Sequence, residues 1–183
     1  MFAERLRDVW VECHRVLRPD GLLVLTYHHS RPEGWRAILE ALVGAGFLIV
    51  ATHPIKAEMS VAAPKQQAKE PIDLDVILVC RKRTREGWGG LKLSTLIGDA
   101  TRAAAEHVAR FNRSDRRLSR NDVRVVLMAQ VIKRLSLHSS LDEVLRWLDS
   151  RRASIERAID QVHDGQKVTG LRLETRRSQL TLW

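Results

Sequence analysis

Two adjacent histidines, His28 and His29, follow the apolar run Leu22–Tyr27. A strand ending there would hold both imidazoles at its carboxyl end, which is where ligands bind in open α/β folds. The pair could line a substrate pocket; the alternative is a polar strand end with one imidazole capping the next helix. Lys65, Lys69 and Glu70 stand in the long polar connection between His53 and Pro71. A loop of that length is uncommon in a compact domain and often functional, so these side chains could touch phosphate or base edges, or be ordinary surface charge. Further along, Arg110, Arg113, Arg116, Arg117 and Arg120 crowd the junction of two helical patterns, with Asp115 the one acid between the first and the last. Phosphate contact needs such density, because each neutralised phosphate releases counterion. The segment has no interleaved aromatics, so it is not a stacking platform for single strands. His107, His138 and His163 are scattered over helical stretches without partners at ligand spacing, and no metal site is expected.

The elements that would position these residues are read from apolar spacing. Phe2, Leu6, Val9, Trp10, Cys13, Val16 and Leu17 recur at helical intervals and make one face of a first helix. Arg18-Pro19-Asp20-Gly21 stops it, since Pro19 cannot continue a helix and Asp-Gly suits a turn. Leu22–Tyr27 lacks polar alternation, which predicts a strand buried on both faces within a parallel sheet. Ser30 is placed to cap the next helix, with Pro32 in its first turn and Glu33 completing a capping box. That helix buries Trp35, Ile38, Leu39, Leu42 and Val43 and ends at Gly44 and Gly46. A strand from Phe47 to near Thr52 follows, making a βαβ unit with a right-handed crossover. After the polar connection, Leu74–Cys80 is a last strand, most simply returning antiparallel.

A boundary follows at 81–90, where charge rises, glycines cluster and apolar residues thin out. It divides the chain into an α/β part, residues 1–83, and a basic helical segment, 84–183. In the second part Leu93, Leu96, Ile97, Ala100, Ala104, Val108 and Phe111 share a helix face. Ser119 caps a helix with Val123, Val126, Val131 and Ile132, and Ser140 with Glu143 opens another that carries Val144, Leu145, Leu148, Ile155 and Ile159. The tail after Gly165 should be short and loosely held. The formal net charge of +9 suits a polyanionic partner, of which nucleic acid is the usual one. Cys13 and Cys80 lack a CxxC spacing and read as buried free thiols. No run approaches the roughly 20 apolar residues of a membrane span. Met1 leads into a charged amphipathic helix rather than a signal peptide, so a cytoplasmic protein is expected.

The step Val16-Leu17-Arg18-Pro19-Asp20-Gly21-Leu22-Leu23-Val24 resembles the helix-to-strand passage of class I S-adenosylmethionine-dependent methyltransferases. More specific are Thr26-Tyr27-His28-His29-Ser30 with Pro32, Glu33 and Trp35. More specific still are Ala57-Glu58-Met59-Ser60, Lys65, Lys69-Glu70-Pro71-Ile72-Asp73-Leu74-Asp75 and Cys80-Arg81-Lys82. Together, over about residues 1–83, they resemble the C-terminal end of large prokaryotic adenine-specific DNA methylases.

The resemblance implies a partial Rossmann-like α/β sheet, its C-terminal strands alone, followed by the α-helical segment. In that family a Gly-rich turn after the first strand holds the cofactor, and an Asp/Asn-Pro-Pro-Tyr loop after the fourth meets the amino group to be methylated. Both would precede Met1. Gly89-Gly90 lies outside any strand-to-helix turn and no Pro-Pro pair exists. The implied function is therefore a C-terminal fragment or subunit of an N6-adenine DNA methyltransferase, inactive alone, with no catalytic residue of its own. S-adenosylmethionine would belong to the complete enzyme, and none is expected on this chain alone. DNA and an upstream methyltransferase half would be its partners. His28 and His29 could line the target-base pocket, and the Lys65–Glu70 loop matches the one that approaches substrate. The alternatives are a non-enzymatic nucleic-acid-binding or interaction protein reusing the half fold, and a fragment of an RNA base methyltransferase.

Overall fold

The computed structural model describes residues 2–57, 72–83, 92–113 and 117–180, with the backbone alone at Phe2 and at 167–180. Among these lie six helices and one three-stranded sheet: α1 (Phe2–Val16), β1 (Leu22–Tyr27), α2 (Pro32–Gly44), β2 (Phe47–Lys56), β3 (Leu74–Lys82), α3 (Leu96–Asn112), α4 (Arg120–Leu135), α5 (Leu141–Ser150) and α6 (Arg152–Leu180). The fold is mixed α/β.

The strand order is β1-β3-β2, with β3 antiparallel to both neighbours. β1 and β2 therefore run in the same direction but do not touch. The βαβ reading holds for direction and fails for adjacency, because β3 is inserted between its two strands. It also fails for burial. β1 is an edge strand whose residues alternate between exposed and half-buried, with Leu22 47% and Val24 55% exposed. An unbroken apolar run marks a strand covered on both faces only when something covers the second face, and nothing described here does.

The covered face carries Phe47, Ile49, Leu74, Val76, Leu78 and Cys80, all fully buried. β2 keeps this face in spite of its composition. A bulge between Ile49 and Ala51 shifts the register, so that Thr52 turns inward opposite Leu78 and His53 turns outward opposite Ile77. The strand runs on to Lys56, past the expected end near Thr52. Pro54 is tolerated because β2 is the other edge. At its start, Gly46 adopts φ +87°, the left-handed conformation that ends α2 and lets the chain enter β2 at once.

α4 lies over this face and is buried nearly all round, from Val123 and Val125 to Ile132 and Leu135. Ser119 caps α4 as expected, and Asp122 completes a capping box with it. The Asp122 carboxylate does more. Its Oδ1 also accepts from the backbone N–H of Asp73 at 2.8 Å and of Leu74 at 3.0 Å, tying the start of β3 to the start of α4. Buried Gln130 donates to Thr52 Oγ1 at 2.7 Å, and Ser136 Oγ accepts from Ile49 N–H at 3.0 Å. α3 presents Leu96, Ala100, Ala104 and Val108 to the same apolar cluster, which continues unbroken from the strands into α3, α4, α5 and α6.

Five local expectations change. In α1, Leu6, Trp10, Cys13 and Leu17 pack against the core, but Val9 and Val16 are 55% and 68% exposed, and Cys13 is only half-buried. Ser30 does not cap α2: the cap residue is Arg31, which makes no side-chain cap bond, although Pro32 does open the helix. At α5, Ser140 Oγ accepts from Glu143 N–H, but the N–H of Ser140 goes to His138 Nδ1 at 3.2 Å rather than completing a box. The helix expected to run on to Ile159 breaks at Arg151, giving α5 and α6. α6 passes straight through Gly165 to Leu180, and Gln166 is buried, so the expected loose tail is helical backbone.

Candidate functional site

The turn between β1 and α2 is held from both sides. Tyr27 Oη donates to Gly34 O at 2.8 Å, and Trp35 Nε1 donates to His29 O at 2.8 Å. The two rings meet edge to face with centroids 5.1 Å apart, and burial pushes the Tyr27 phenol up to about 12. The His29 ring lies so close to α2 that a Cβ on Gly34 would come within 2.2 Å of it. Glycine is required there by this close approach.

The two histidines then differ. His29 Nδ1 accepts the N–H of Arg31 at 2.9 Å, so His29 does the capping that Ser30 was expected to do. His28 continues the outer face of β1, and its Nδ1 pairs with Asp75 Oδ1 on β3. A carboxylate only accepts, so His28 Nδ1 carries a proton, and in the neutral ring Nε2 presents its lone pair. His29 Nδ1 also lies 3.0 Å from Arg31 O, so both backbone polar groups of Arg31 meet the same ring nitrogen. Asp75 was not visible as a site residue, because only the β1–β3 register brings it to His28, 47 residues away in sequence.

Lys65, Lys69 and Glu70 lie outside the described residues, as does Arg116. Of the other arginines, Arg110, Arg113 and Arg117 are exposed around the α3–α4 connection. That connection is clamped at buried Leu118, whose N–H donates to Gln166 Oε1 at 3.1 Å and whose carbonyl accepts from Gln166 Nε2 at 3.2 Å. Arg120 behaves differently. Its Nε donates to Asp160 at 2.7 Å and its Nη2 to Glu156 at 2.8 Å, and these bonds raise its pKa. Burial pushes the Glu156 carboxyl up, but Arg124 and Arg120 more than offset this and hold it below its ordinary value. Arg120 therefore ties α4 to α6 and does not stand with the exposed arginines. Beside them a cleft of about 680 Å³ opens between α3 and α6, lined by Arg102 and Arg157 and by no carboxylate. Arg102 itself pairs with Asp99 at 2.7 Å.

The β1–α2 turn contains no glycine, and His29 occupies the N–H of Arg31 at the helix start where an anionic or polar group would dock. Among the described residues, no group of three or more His, Cys, Asp or Glu side chains could hold a metal ion, and no helix is long and apolar enough to cross a membrane. No family model, curated protein or solved structure matches the chain.

Proposed function

We propose that this chain is the C-terminal part of a larger Rossmann-like α/β module, acting as one portion of an N6-adenine DNA methyltransferase whose cofactor and amine-holding loops lie on another portion. One observation carries the reading. Of the six large apolar residues exposed among the described residues, five, Val9, Val11, Val16, Leu22 and Val24, lie on α1 and β1. Leu22 and Val24 lie on β1, whose outer edge has no partner strand among the described residues, and Val9, Val11 and Val16 lie on α1, which packs against α2. A strand with a free edge and an uncovered apolar face is the liability that a complete sheet removes. The motif resemblance names the family, and the mutual direction of β1 and β2 agrees with a parallel sheet continuing beyond β1. The exposed arginines at 110, 113 and 117 supply phosphate contacts to duplex DNA, in the cytoplasm.

A second reading, a nucleic-acid-binding protein without catalysis, draws on the β1–α2 turn that His29 closes. Joining decides between them. The segment encoded immediately upstream is expressed as a separate chain, mixed with this one, and labelled-methyl transfer to duplex DNA is measured. Stable association and activity that needs both chains is the expected result. Full activity of the upstream chain alone, or a well-behaved complex with none, favours the second reading.

A further inference from the structure

We propose that His28 and Asp75 form a proton-accepting dyad, with His28 Nε2 receiving the proton of an N–H donor bound beyond the carboxyl end of β1. The choice of donor, the exocyclic amino group of a nucleobase, rests on the reading above; the dyad itself rests on geometry. Asp75 stands on the central strand, where pairing on both sides fixes its backbone, and its side chain is 21% exposed. The carboxylate orients the His28 ring through Nδ1–H and faces the imidazolium once it forms. The ring is 49% exposed, and Nε2 has no partner among the described residues. Tyr27, Trp35 and Gly34 hold the backbone that carries it. The pair turns the free nitrogen of His28 outward, at the strand end beside the uncovered edge.

The step is a proton transfer. Once the amino nitrogen has formed its new bond to the methyl carbon and is cationic, its N–H bond breaks and the electron pair returns to that nitrogen, while an Nε2–H bond forms on His28. The imidazolium then returns the proton to water, which its exposure allows. From the neighbouring strand, His53 stands opposite Ile77 and Lys56 opposite Leu74, and these are the other titratable groups that β2 brings towards this end.

The test begins on the chain by itself. Side-chain 15N NMR should show His28 as the Nδ1–H tautomer. Asp75→Asn should convert His28 to the Nε2–H form, since the amide can donate to Nδ1. Diethyl pyrocarbonate should acylate His28 several-fold faster in the native chain than in Asp75→Asn. An Nε2–H tautomer in the native chain, or an acylation rate indifferent to Asp75→Asn, overturns the dyad. With the upstream chain added, His28→Gln should lower kcat about 100-fold, leave the KM for DNA unchanged and remove the acid limb of the pH–rate profile. Methylation indifferent to His28→Gln overturns the proton-accepting role and leaves the methyltransferase reading standing. With the tautomers and acylation as expected, absence of methylation from every pairing counts against that reading alone, and the dyad keeps the support of both ring measurements.

Discussion

On one face of the sheet Phe47, Ile49, Leu74, Val76, Leu78 and Cys80 are sealed beneath the helices, and burial pushes the Cys80 thiol up to about 12. On the other, Leu22 and Val24 of the same sheet stand about half exposed. Both faces are made of the same residue types. The difference lies in what packs on them: α4 is wrapped by strands on one side and by α3 and α6 on the other, whereas the outer face of β1 and the valines of α1 have no cover among the described residues. The polar groups follow the same division. Beneath the helices Asp122, Gln130 and Ser136 are committed to partners on the strands, while at the open end His28 keeps a free nitrogen. The contrast separates residues that hold the molecule together from residues available to something else.

Five variants and one titration sharpen or break that contrast. Phe47→Ala, on the sealed face, should cost about 3–5 kcal/mol, because a fully buried ring leaves a cavity that strands and α4 cannot close. Urea unfolding measures it, and a loss below about 1 kcal/mol would mean that the core is loose. Asp122→Ala should come next, at about 2–3 kcal/mol, since it strips the buried N–H groups of Asp73 and Leu74 of their acceptor together with the α4 cap.

The arginines divide in the same way. Arg120→Ala should lower stability by about 0.5–1 kcal/mol, as its bonds to Glu156 and Asp160 are partly solvated, and should leave DNA affinity unaltered. Arg113→Ala with Arg117→Ala should do the reverse: stability unchanged, affinity reduced alike on every duplex, and the salt slope of log K smaller by about 2. Fluorescence anisotropy across a salt series distinguishes them, and a loss of affinity from Arg120→Ala would show that its ion pairs open to DNA.

Acid should weaken the sealed side. Burial, with Lys82 nearby, lowers the pKa of His14; burial, then Arg110, His53 and Lys133, lowers that of His107. A histidine whose folded pKa lies below the unfolded value of about 6.5 favours the fold while neutral, so its contribution is complete above that pH and declines as pH falls through it. Denaturant midpoints should therefore drop between pH 7.5 and 5.5, and His107→Gln should flatten the drop; an unchanged slope would remove His107 from the account. The smallest effect belongs to the open face. Val24→Ser should move the stability of the isolated chain by no more than about 0.5 kcal/mol yet reduce self-association on a sizing column. A core-sized loss would mean that this face is internal after all.

Local chemistry was legible wherever it depended on neighbours in sequence. The Ser119 cap, Pro32 opening α2 and the buried stripe of α3 follow from spacing alone. Ser30 was not legible as a bystander, because its position fits a cap as well as His29 does, and the winner depends on the close approach that Gly34 permits. The bulge at Ile49–Ala51 carries no residue signal. Its effect, Thr52 turned to Gln130 and His53 turned out, exists only against β3.

The sequence by itself determined the helices, the strand segments and the charge, because these depend on periodicity, capping and composition within a few residues. The tertiary structure alone decided the rest. It placed β3 between β1 and β2, left β1 at an edge, drew Arg120 onto Glu156 and Asp160 and brought Asp75 to His28. The physical reason is common to all four: pairing register and helix packing are contacts between distant segments, and a residue's pattern says which face it prefers but not what will come to cover it.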